Sequence, residues 1–302
     1  MSKNLELLFS IDCSNVLGEG VQWHAGSQTL WWTDIMSSQL FCYYWEEQRL
    51  VQWSTPERLT AFGIMSVSPV KLLVSFASGF ALYQPEDQRL TWLARPELDQ
   101  PGNRFNDGRV DRQGRFWSGT MVEEDNGQKG SLYRLDNQGA VATITDLRIP
   151  NALCWSPDGK RLYHADSPSG EIRWYQYDVH AGTVGDGHLF ARVPRGNPDG
   201  AIIDAQGYLL CALWGGNAVA RYSPDGNLEA LLDLPVSQPT CVALGGPEMN
   251  VLFVTTATAG MTEVQREQEP LAGSLLVYAS PYHGIPEAAP LSQWLLNVAA
   301  LR

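Results

Sequence analysis

The 302-residue sequence is poor in cysteine, and its cysteines are not grouped. It has five, which are far apart and never form a C-x-x-C pair. An odd and scattered set fits neither a disulfide framework nor a zinc knuckle. We therefore expect most of them to be buried thiols in a reducing compartment. The five are Cys13, Cys42, Cys154, Cys211 and Cys241.

Positive charge is also scarce. The sequence has 21 Lys and Arg residues against 33 Asp and Glu, and its formal net charge at pH 7 is −12. Affinity for a phosphate backbone depends on clustered Lys and Arg, and here these residues are scattered. The composition therefore excludes nucleic acid as an expected partner.

Long hydrophobic runs are missing. No stretch reaches the roughly 18 uncharged apolar residues that a membrane helix needs. Residues 1–9 contain a single Lys, and Glu6 interrupts their apolar run, which does not fit a signal peptide. We expect a cytoplasmic protein with no membrane partner.

The signatures of several catalytic classes are absent as well. The sequence has no G-x-S-x-G, Walker A or G-x-G-x-x-G match, which disfavours acyl-serine hydrolases and nucleotide-binding proteins. Its five histidines show neither H-E-x-x-H nor a shared-face spacing, so we expect them to be structural or exposed. No long run has sustained helical spacing with caps, which argues against an α/β fold.

A short pattern recurs along the whole chain: a turn, two residues, a Leu or Phe, and then an aromatic residue or Leu. Each copy is followed by further short β-like runs, and a unit of about 45 residues with three to four strands is typical of one β-propeller blade. The even spacing disfavours an open sandwich with accidental periodicity. The anchors are Leu30, Leu72, Phe116, Leu162, Leu209 and Leu252, at intervals of 42, 44, 46, 47 and 43 residues.

Six copies predict an all-β, six-bladed β-propeller that fills residues 1–302 as a single domain. We expect the ring to close by pairing a strand around residues 5–11 with strands around residues 275–279, because closure removes exposed edges. The charged segment 262–271 interrupts the pattern, and we expect it to be a solvated loop.

Polar side chains stand ten or eleven residues ahead of four of the six anchors, where the innermost strand of each blade begins. One such turn sequence is a weak signal, but four in register place two carboxylates and two carboxamides at one channel mouth. An all-oxygen site suits Ca²⁺, Mg²⁺ or Mn²⁺, and Zn²⁺ less well. The four residues are Glu19, Asn106, Asn151 and Asp199.

Several motifs, taken together and in order, resemble the senescence-marker-protein/gluconolactonase family, which includes regucalcin and bacterial sugar lactonases. The likeness covers nearly the full length and agrees with the six blades reached from the repeat. The motifs are Leu17-Gly-Glu19-Gly-Val-Gln-Trp23, Arg104-Phe-Asn106-Asp-Gly108, Gly119-Thr-Met121, Pro150-Asn151 and Pro198-Asp199-Gly200.

The resemblance implies one catalytic divalent metal held by Glu19, Asn151 and Asp199, with Ca²⁺ the first choice and Zn²⁺, Mn²⁺ or Mg²⁺ as alternatives. It further implies that Asn106 lies at or near the metal and contacts substrate. Arg104 and Glu124 would line the sugar pocket. The sequence departs from the family at two positions, where Ala152 replaces a usual Gly and Val21 a common Pro.

The resulting hypothesis is metal-assisted hydrolysis of a sugar-acid lactone to the aldonate, with Asp199 guiding or deprotonating the attacking water. Two alternatives stay open: a Ca²⁺-dependent phosphotriester hydrolase that uses the same site, and a non-enzymatic calcium-binding or scaffold protein. The loop 122–129 is predicted to set selectivity. The motifs leave open which sugar is bound and which oligomer forms.

Overall fold

A computed structural model describes residues 2, 3, 5–124, 127–136 and 139–291. Within these ranges the chain forms 25 strands, one 3₁₀ helix at Ser167–Ser169 and one α-helix, α1, at Glu263–Gln268. The strands make six sheets, and each contains a four-stranded antiparallel blade; one sheet has an additional fifth strand at its edge. The prediction of an all-β, six-bladed β-propeller is confirmed.

The strands follow one another in chain order, and each blade runs from its innermost strand outward, apart from the strand that closes blade 6. The first two strands are β1 (Ser2–Lys3) and β2 (Leu7–Ile11). Blades 1 to 3 comprise β3 (Gly18–His24), β4 (Thr29–Asp34), β5 (Gln39–Tyr44) and β6 (Arg49–Ser54); β7 (Leu59–Val67), β8 (Val70–Phe76), β9 (Gly79–Gln84) and β10 (Arg89–Ala94); and β11 (Asn103–Val110), β12 (Phe116–Val122), β13 (Gly130–Asp136) and β14 (Gly139–Leu147). Blades 4 to 6 comprise β15 (Pro150–Trp155), β16 (Arg161–Asp166), β17 (Glu171–Asp178) and β18 (Thr183–Arg192); β19 (Asn197–Ile203), β20 (Leu209–Trp214), β21 (Ala218–Tyr222) and β22 (Leu228–Asp233); and β23 (Pro239–Gly245), β24 (Val251–Thr256) and β25 (Leu275–Ala279).

The hydrophobic core lies between the blades. Six clusters of buried apolar side chains exist among the described residues, and each joins one pair of neighbouring blades. Trp23 of blade 1 stacks on Phe253 of blade 6, with ring centroids 5.8 Å apart. Inner strands such as β15 are buried along their whole length, whereas the outer strand β6 is partly exposed. This explains why β15 shows no alternation of buried and exposed positions, since both of its faces are covered.

The predicted ring closure is confirmed. Strand β2 pairs antiparallel with β25 and becomes the fourth strand of blade 6, with Leu7 opposite Tyr278 and Ser10 opposite Leu276. The first and last parts of the chain thus share one sheet, which removes the open edges that an unclosed ring would expose. In addition, β1 pairs in parallel with β22 of blade 5, which the sequence pattern did not predict.

The charged segment 262–271 is only partly as expected. It is solvated, because none of the residues of α1 is buried, but it is a short helix and not a loop. Thr262 caps the helix: its Oγ1 accepts a hydrogen bond from Gln265 N at 3.3 Å, and Gln265 Oε1 accepts one from Thr262 N at 2.8 Å. This reciprocal capping box starts a helix even where no apolar face is buried.

The five cysteines are free, and four of them are buried, as expected; Cys13 is half-buried. No helix in the described ranges is both long and apolar enough to cross a membrane.

A segment that we call the strap, residues 281–291, follows β25 and crosses the ends of the innermost strands. Leu291 N donates a hydrogen bond to Gly114 O at 3.0 Å. Glu287 Oε1 lies 2.6 Å from Arg109 Nη1, and both side chains are at least three-quarters buried. The strap therefore covers the end of the central channel at which the innermost strands finish.

Candidate active site

Each innermost strand carries a β-bulge at or close to its start. A bulge adds one residue to one strand of a pair and redirects its side chains. The register shifts lie at the same level in all six blades, and four of them include or adjoin the polar residues singled out from the sequence. The shifts occur between Glu19 and Gln22, Leu59 and Ala61, Phe105 and Gly108, Asn151 and Cys154, Pro198 and Ala201, and Pro239 and Cys241.

The bulges surround a cavity of about 470 Å³ at the end of the channel where the innermost strands begin. Five of the six residues named from the sequence line this cavity: Glu19, Arg104, Asn106, Asn151 and Asp199. All five are buried. The other lining residues are Leu17, Met121, Ile149, Ser167, Pro168, Asn197 and Trp214.

The carboxamides of Asn106 and Asn151 belong to one hydrogen-bonded chain. Asn106 Nδ2 donates to Asn151 Oδ1 at 3.1 Å and to the carbonyl of Pro150 at 3.1 Å. Asn151 Nδ2 donates to Ser167 Oγ at 2.8 Å, which in turn donates to the carbonyl of Pro198 at 2.6 Å. Both amide hydrogens of Asn106 have an acceptor, and Asn151 donates one hydrogen bond and accepts another, so the orientation of both carboxamides is fixed.

Arg104 extends this series of hydrogen bonds toward blade 2. Its Nη1 donates to Asn106 Oδ1 at 2.9 Å, and its Nε donates to Glu123 Oε1 at 2.8 Å. The carboxylate of Glu123 also accepts hydrogen bonds from both Nη atoms of Arg58, at 2.8 and 2.9 Å. Within the described ranges Arg104 Nη2 makes no hydrogen bond, although Arg104 lines the cavity. One guanidinium donor is therefore free for a ligand.

Glu124, the sixth residue named from the sequence, is not brought into the site. Its side chain is exposed, and it is not among the residues that line the cavity. The preceding residue, Glu123, makes the ion pair with Arg104. The sequence offered one signal for Glu123, which is the acidic pair at positions 123 and 124 after Gly119-Thr-Met121.

The carboxyls of Glu19 and Asp199 have raised pKa values. Burial is the largest cause for both, and repulsion adds to it: the charge of Asp107 acts on Glu19, and the charge of Glu19 acts on Asp199. Without a cation, this pair therefore resists full ionisation.

Asp107 belongs to the motif Arg104-Phe-Asn106-Asp-Gly108 but was not predicted to have a role in the site. Its Oδ2 accepts a hydrogen bond from Leu153 N at 3.0 Å and so connects the bulge of blade 3 to that of blade 4. Between Leu153 and Asn151 lies Ala152, which has a φ of 56°. This left-handed conformation favours glycine, the residue usual in the resembled family, and the bulge keeps it with alanine.

The residues of the cavity fit a hard divalent cation. Two buried carboxylates carry charge that no Lys or Arg ion pair neutralises within the described part of the chain, and such charge is costly unless compensated. Oxygen is the only donor type that Glu19, Asp199, Asn106 and Asn151 offer to a cation, which suits Ca²⁺, Mg²⁺ or Mn²⁺. Among the described residues, no three or more His, Cys, Asp or Glu side chains form a group that could hold a metal. Carboxamide oxygens would therefore have to contribute to a metal site.

Six blades around a channel whose mouth holds buried carboxylates and carboxamides define a β-propeller with an all-oxygen site. The profile of the family described as "SMP-30/Gluconolactonase/LRE-like region" matches residues 17–258. The chain belongs to this family, and the resemblance inferred from the motifs is confirmed.

Individual relatives are similar to the chain over most of its length. L-arabinolactonase from Azospirillum brasilense is 35% identical over 286 residues, 92% of this chain and 93% of the relative. 6-deoxy-6-sulfogluconolactonase from Pseudomonas putida is 33% identical over 263 residues, 86% and 89% of the two chains. The solved structure of the calcium-binding protein regucalcin from Agrobacterium tumefaciens has a TM-score of 0.88 at 30% identity and covers 96% of this chain and 99% of its own.

Proposed function

We propose that this chain is a metal-dependent hydrolase that opens a sugar-acid lactone, such as gluconolactone, to the aldonate. The observation that carries the proposal is the buried pair Glu19 and Asp199 in one cavity with Asn106, Asn151 and Arg104. Relatives named as sugar lactonases support the substrate class. The alternative of a plain scaffold does not account for two buried carboxylates facing one cavity, because burying them is costly.

Glu19, Asn151 and Asp199 would hold the cation, with Asn106 beside it. A bound divalent cation, with Ca²⁺ the first choice and Zn²⁺, Mn²⁺ or Mg²⁺ as alternatives, would polarise the lactone carbonyl and stabilise negative charge on its oxygen. The regucalcin neighbour, described as a calcium-binding protein, supports this choice. Asn106 keeps the Oδ1 of Asn151 in place through its hydrogen bond.

Asp199 is the catalytic residue in this proposal. As a carboxylate it accepts a proton from the water that attacks the lactone carbonyl, and it returns this proton to the ring oxygen when the C–O bond breaks. The product is the open-chain hydroxy acid, whose carboxyl group then releases its proton to solvent and becomes the carboxylate. Arg104 Nη2, which is without a partner in the described ranges, would donate to a substrate hydroxyl and fix its orientation. Glu124 lies outside the cavity lining, so its predicted sugar contact would need another arrangement.

We also propose that residues 1–302 form a single domain that acts on a small molecule in the cytoplasm. Residues 292–302 lie outside the described residues. The same is true of residues 125 and 126, which belong to the loop 122–129 with its predicted role in selectivity.

The test is hydrolysis of a panel by metal-stripped protein that is resupplied with Ca²⁺, Mg²⁺, Mn²⁺ or Zn²⁺. The panel contains glucono-, galactono-, xylono- and arabinono-lactone and one phosphotriester. We expect metal-dependent turnover of at least one lactone. Turnover of the phosphotriester alone would favour the alternative hydrolase, and metal binding without any turnover would favour a binding role.

Asp199→Asn tests the proposed base. We expect a loss in kcat of about 10²- to 10⁴-fold, the usual contribution of a positioned proton acceptor. Asp225→Asn is the matched control, since Asp225 is an exposed aspartate in a turn of blade 5. Full activity of Asp199→Asn, or turnover without metal, would contradict the proposal.

A further inference from the structure

The cavity has a polar floor and an apolar rim. The floor is formed by Glu19, Asn106, Asn151 and Asp199, which are exposed by only 8%, 7%, 5% and 6%. Nearer to solvent stand five lining residues with apolar side chains, none of them fully buried. We call these five the apolar rim: Leu17, Met121, Ile149, Pro168 and Trp214.

The fold fixes the rim relative to the floor. Leu17 and Ile149 each come two residues before a floor residue, Glu19 and Asn151. Met121 is the cross-strand partner of Arg104. Because side chains of paired strands are held in register, the rim keeps its place without a mobile loop.

Trp214 and Pro168 complete the rim on blades 5 and 4. Trp214 ends β20 and pairs with Asn197 at the start of β19, and Pro168 belongs to the 3₁₀ helix that follows β16. The rim therefore draws on blades 1, 3, 4 and 5. Among the described residues that line the cavity, Asn197 is the one exposed residue with a polar side chain.

The two zones impose a direction on a bound lactone. The reacting carbonyl has to lie at the floor, because the proposed base and the proposed cation ligands are there. The far end of the substrate then meets the rim. A hydroxyl group there loses water without gaining a partner, whereas a methyl or alkyl group is removed from water favourably.

We infer that this cavity selects lactones whose end away from the carbonyl is apolar, namely 6-deoxy sugar lactones and alkyl-substituted lactones, over counterparts that carry a terminal hydroxyl or charge. This inference rests on the proposed lactonase function. It adds a substrate class and names the side chains that set it. The ring hydroxyls nearer the carbonyl would still accept a hydrogen bond from Arg104 Nη2.

A matched pair of substrates tests the inference. L-rhamnonolactone and L-mannonolactone have the same configuration and differ by the hydroxyl at C6. We expect kcat/KM for the deoxy compound to be about 10- to 100-fold higher, which is the range that one group in an apolar pocket supplies. Gluconolactone is measured beside them as the reference for the lactonase activity itself.

Rim variants show whether the side chains carry the preference. Ile149→Asn and Trp214→Gln each place hydrogen-bonding groups at the rim, and we expect the ratio between the two substrates to fall toward one. Leu228→Asn is the control: Leu228 is 44% exposed on the outer strand of blade 5, away from the cavity. Thermal unfolding of each variant checks that the fold is retained.

The outcomes separate the inference from the function on which it rests. If wild-type protein hydrolyses none of these three lactones and no other lactone of the panel with any cation, the lactonase proposal fails and the inference with it. If it hydrolyses a panel lactone but not L-rhamnonolactone, the inference alone is overturned. If it hydrolyses them with no preference, or prefers the hydroxylated compound, the inference alone is overturned. A preference that survives both rim variants, or that Leu228→Asn also removes, overturns the assignment to the rim.

Discussion

Asn106 Nδ2 lies 3.1 Å from Asn151 Oδ1, across the boundary between blades 3 and 4. This bond joins two bulges that are 45 residues apart in sequence. It leaves the oxygen of Asn151 with a second lone pair, while Asn106 Nδ2 also donates to the carbonyl of Pro150 and Asn151 Nδ2 donates to Ser167 Oγ. The oxygen of Asn151, the proposed metal ligand on blade 4, is therefore oriented by blade 3.

Replacing Asn106 by alanine removes this orienting bond and also the acceptor of Arg104 Nη1. Loss of a group that orients a ligand typically weakens metal binding by about 10- to 100-fold, and we expect a loss of this size. Calcium titration calorimetry measures it. Asn227→Ala, at an exposed position in blade 5, is the control. Unchanged affinity in Asn106→Ala would show that the bond does not hold Asn151.

Ala152→Gly should leave stability nearly unchanged. The left-handed conformation costs an alanine about 1–2 kcal/mol, and glycine removes this cost. Against it stand the greater freedom of glycine in the unfolded chain and the loss of a buried methyl, each about 0.5–1 kcal/mol. Ala165→Gly is the matched control, because Ala165 is equally buried in the neighbouring strand β16 and is not among the residues with positive φ.

In that control no strain is relieved, so we expect it to cost about 1–2 kcal/mol. Urea unfolding of both variants at one pH gives the comparison. Equal destabilisation of the two variants would mean that Ala152 carries no backbone strain.

The stability of metal-free protein should fall as pH rises. Burial raises the pKa of Glu19 from 4.5 to about 8 and raises that of Asp199 as well. The folded state thus keeps protons that the unfolded chain releases above its own pKa values, and the resulting stability is lost as pH rises through the folded values. We expect Tm in the presence of a chelator to drop between about pH 5 and pH 8.

A saturating divalent cation should restore most of that loss, and the double variant Glu19→Gln/Asp199→Asn should flatten the profile. Thermal unfolding at constant ionic strength measures all three. Because His164 acts in the opposite direction over part of this range, the double variant is the reference: a metal-free wild-type Tm that falls no more than that of the double variant would refute the prediction.

His164 should make the protein sensitive to acid. Burial lowers the pKa of this histidine from 6.5 to about 4, and its Nε2 has no hydrogen-bond partner among the residues that the structure describes. Between these values the unfolded chain binds a proton that the folded protein excludes, so stability present above 6.5 is lost as pH falls toward 4. The shift corresponds to about 3 kcal/mol.

His164→Leu should therefore lose less stability than wild type between about pH 7 and pH 4.5 in urea unfolding. His180→Gln, at an exposed histidine, should behave as wild type. An equal loss in wild type and His164→Leu would locate the acid sensitivity elsewhere.

The repeat and the four polar residues could be predicted because each depends on a short pattern that recurs several times in the sequence. The anchor spacing gave six blades, and a fixed offset from the anchors gave Glu19, Asn106, Asn151 and Asp199. The closing strand followed from the need to cover an edge. These expectations did not require knowledge of how the blades pack.

The remaining features depend on geometry that spacing does not carry. Neighbouring residues point in different directions, so the motif after Gly119 could not separate Glu123 from Glu124. Asp107 acts through a backbone hydrogen of another blade, which has no sequence signature. The helix α1 starts from a capping box that was present in the sequence at Thr262 and Gln265 but was not used.

The strap determines how molecules travel into and out of the protein. It lies over the finishing ends of the innermost strands, and the space left there is about 20 Å³, close to the volume of a single water. The channel is consequently closed at this end. Substrate, water and product would share one entrance, so the product has to leave before the next substrate molecule can enter.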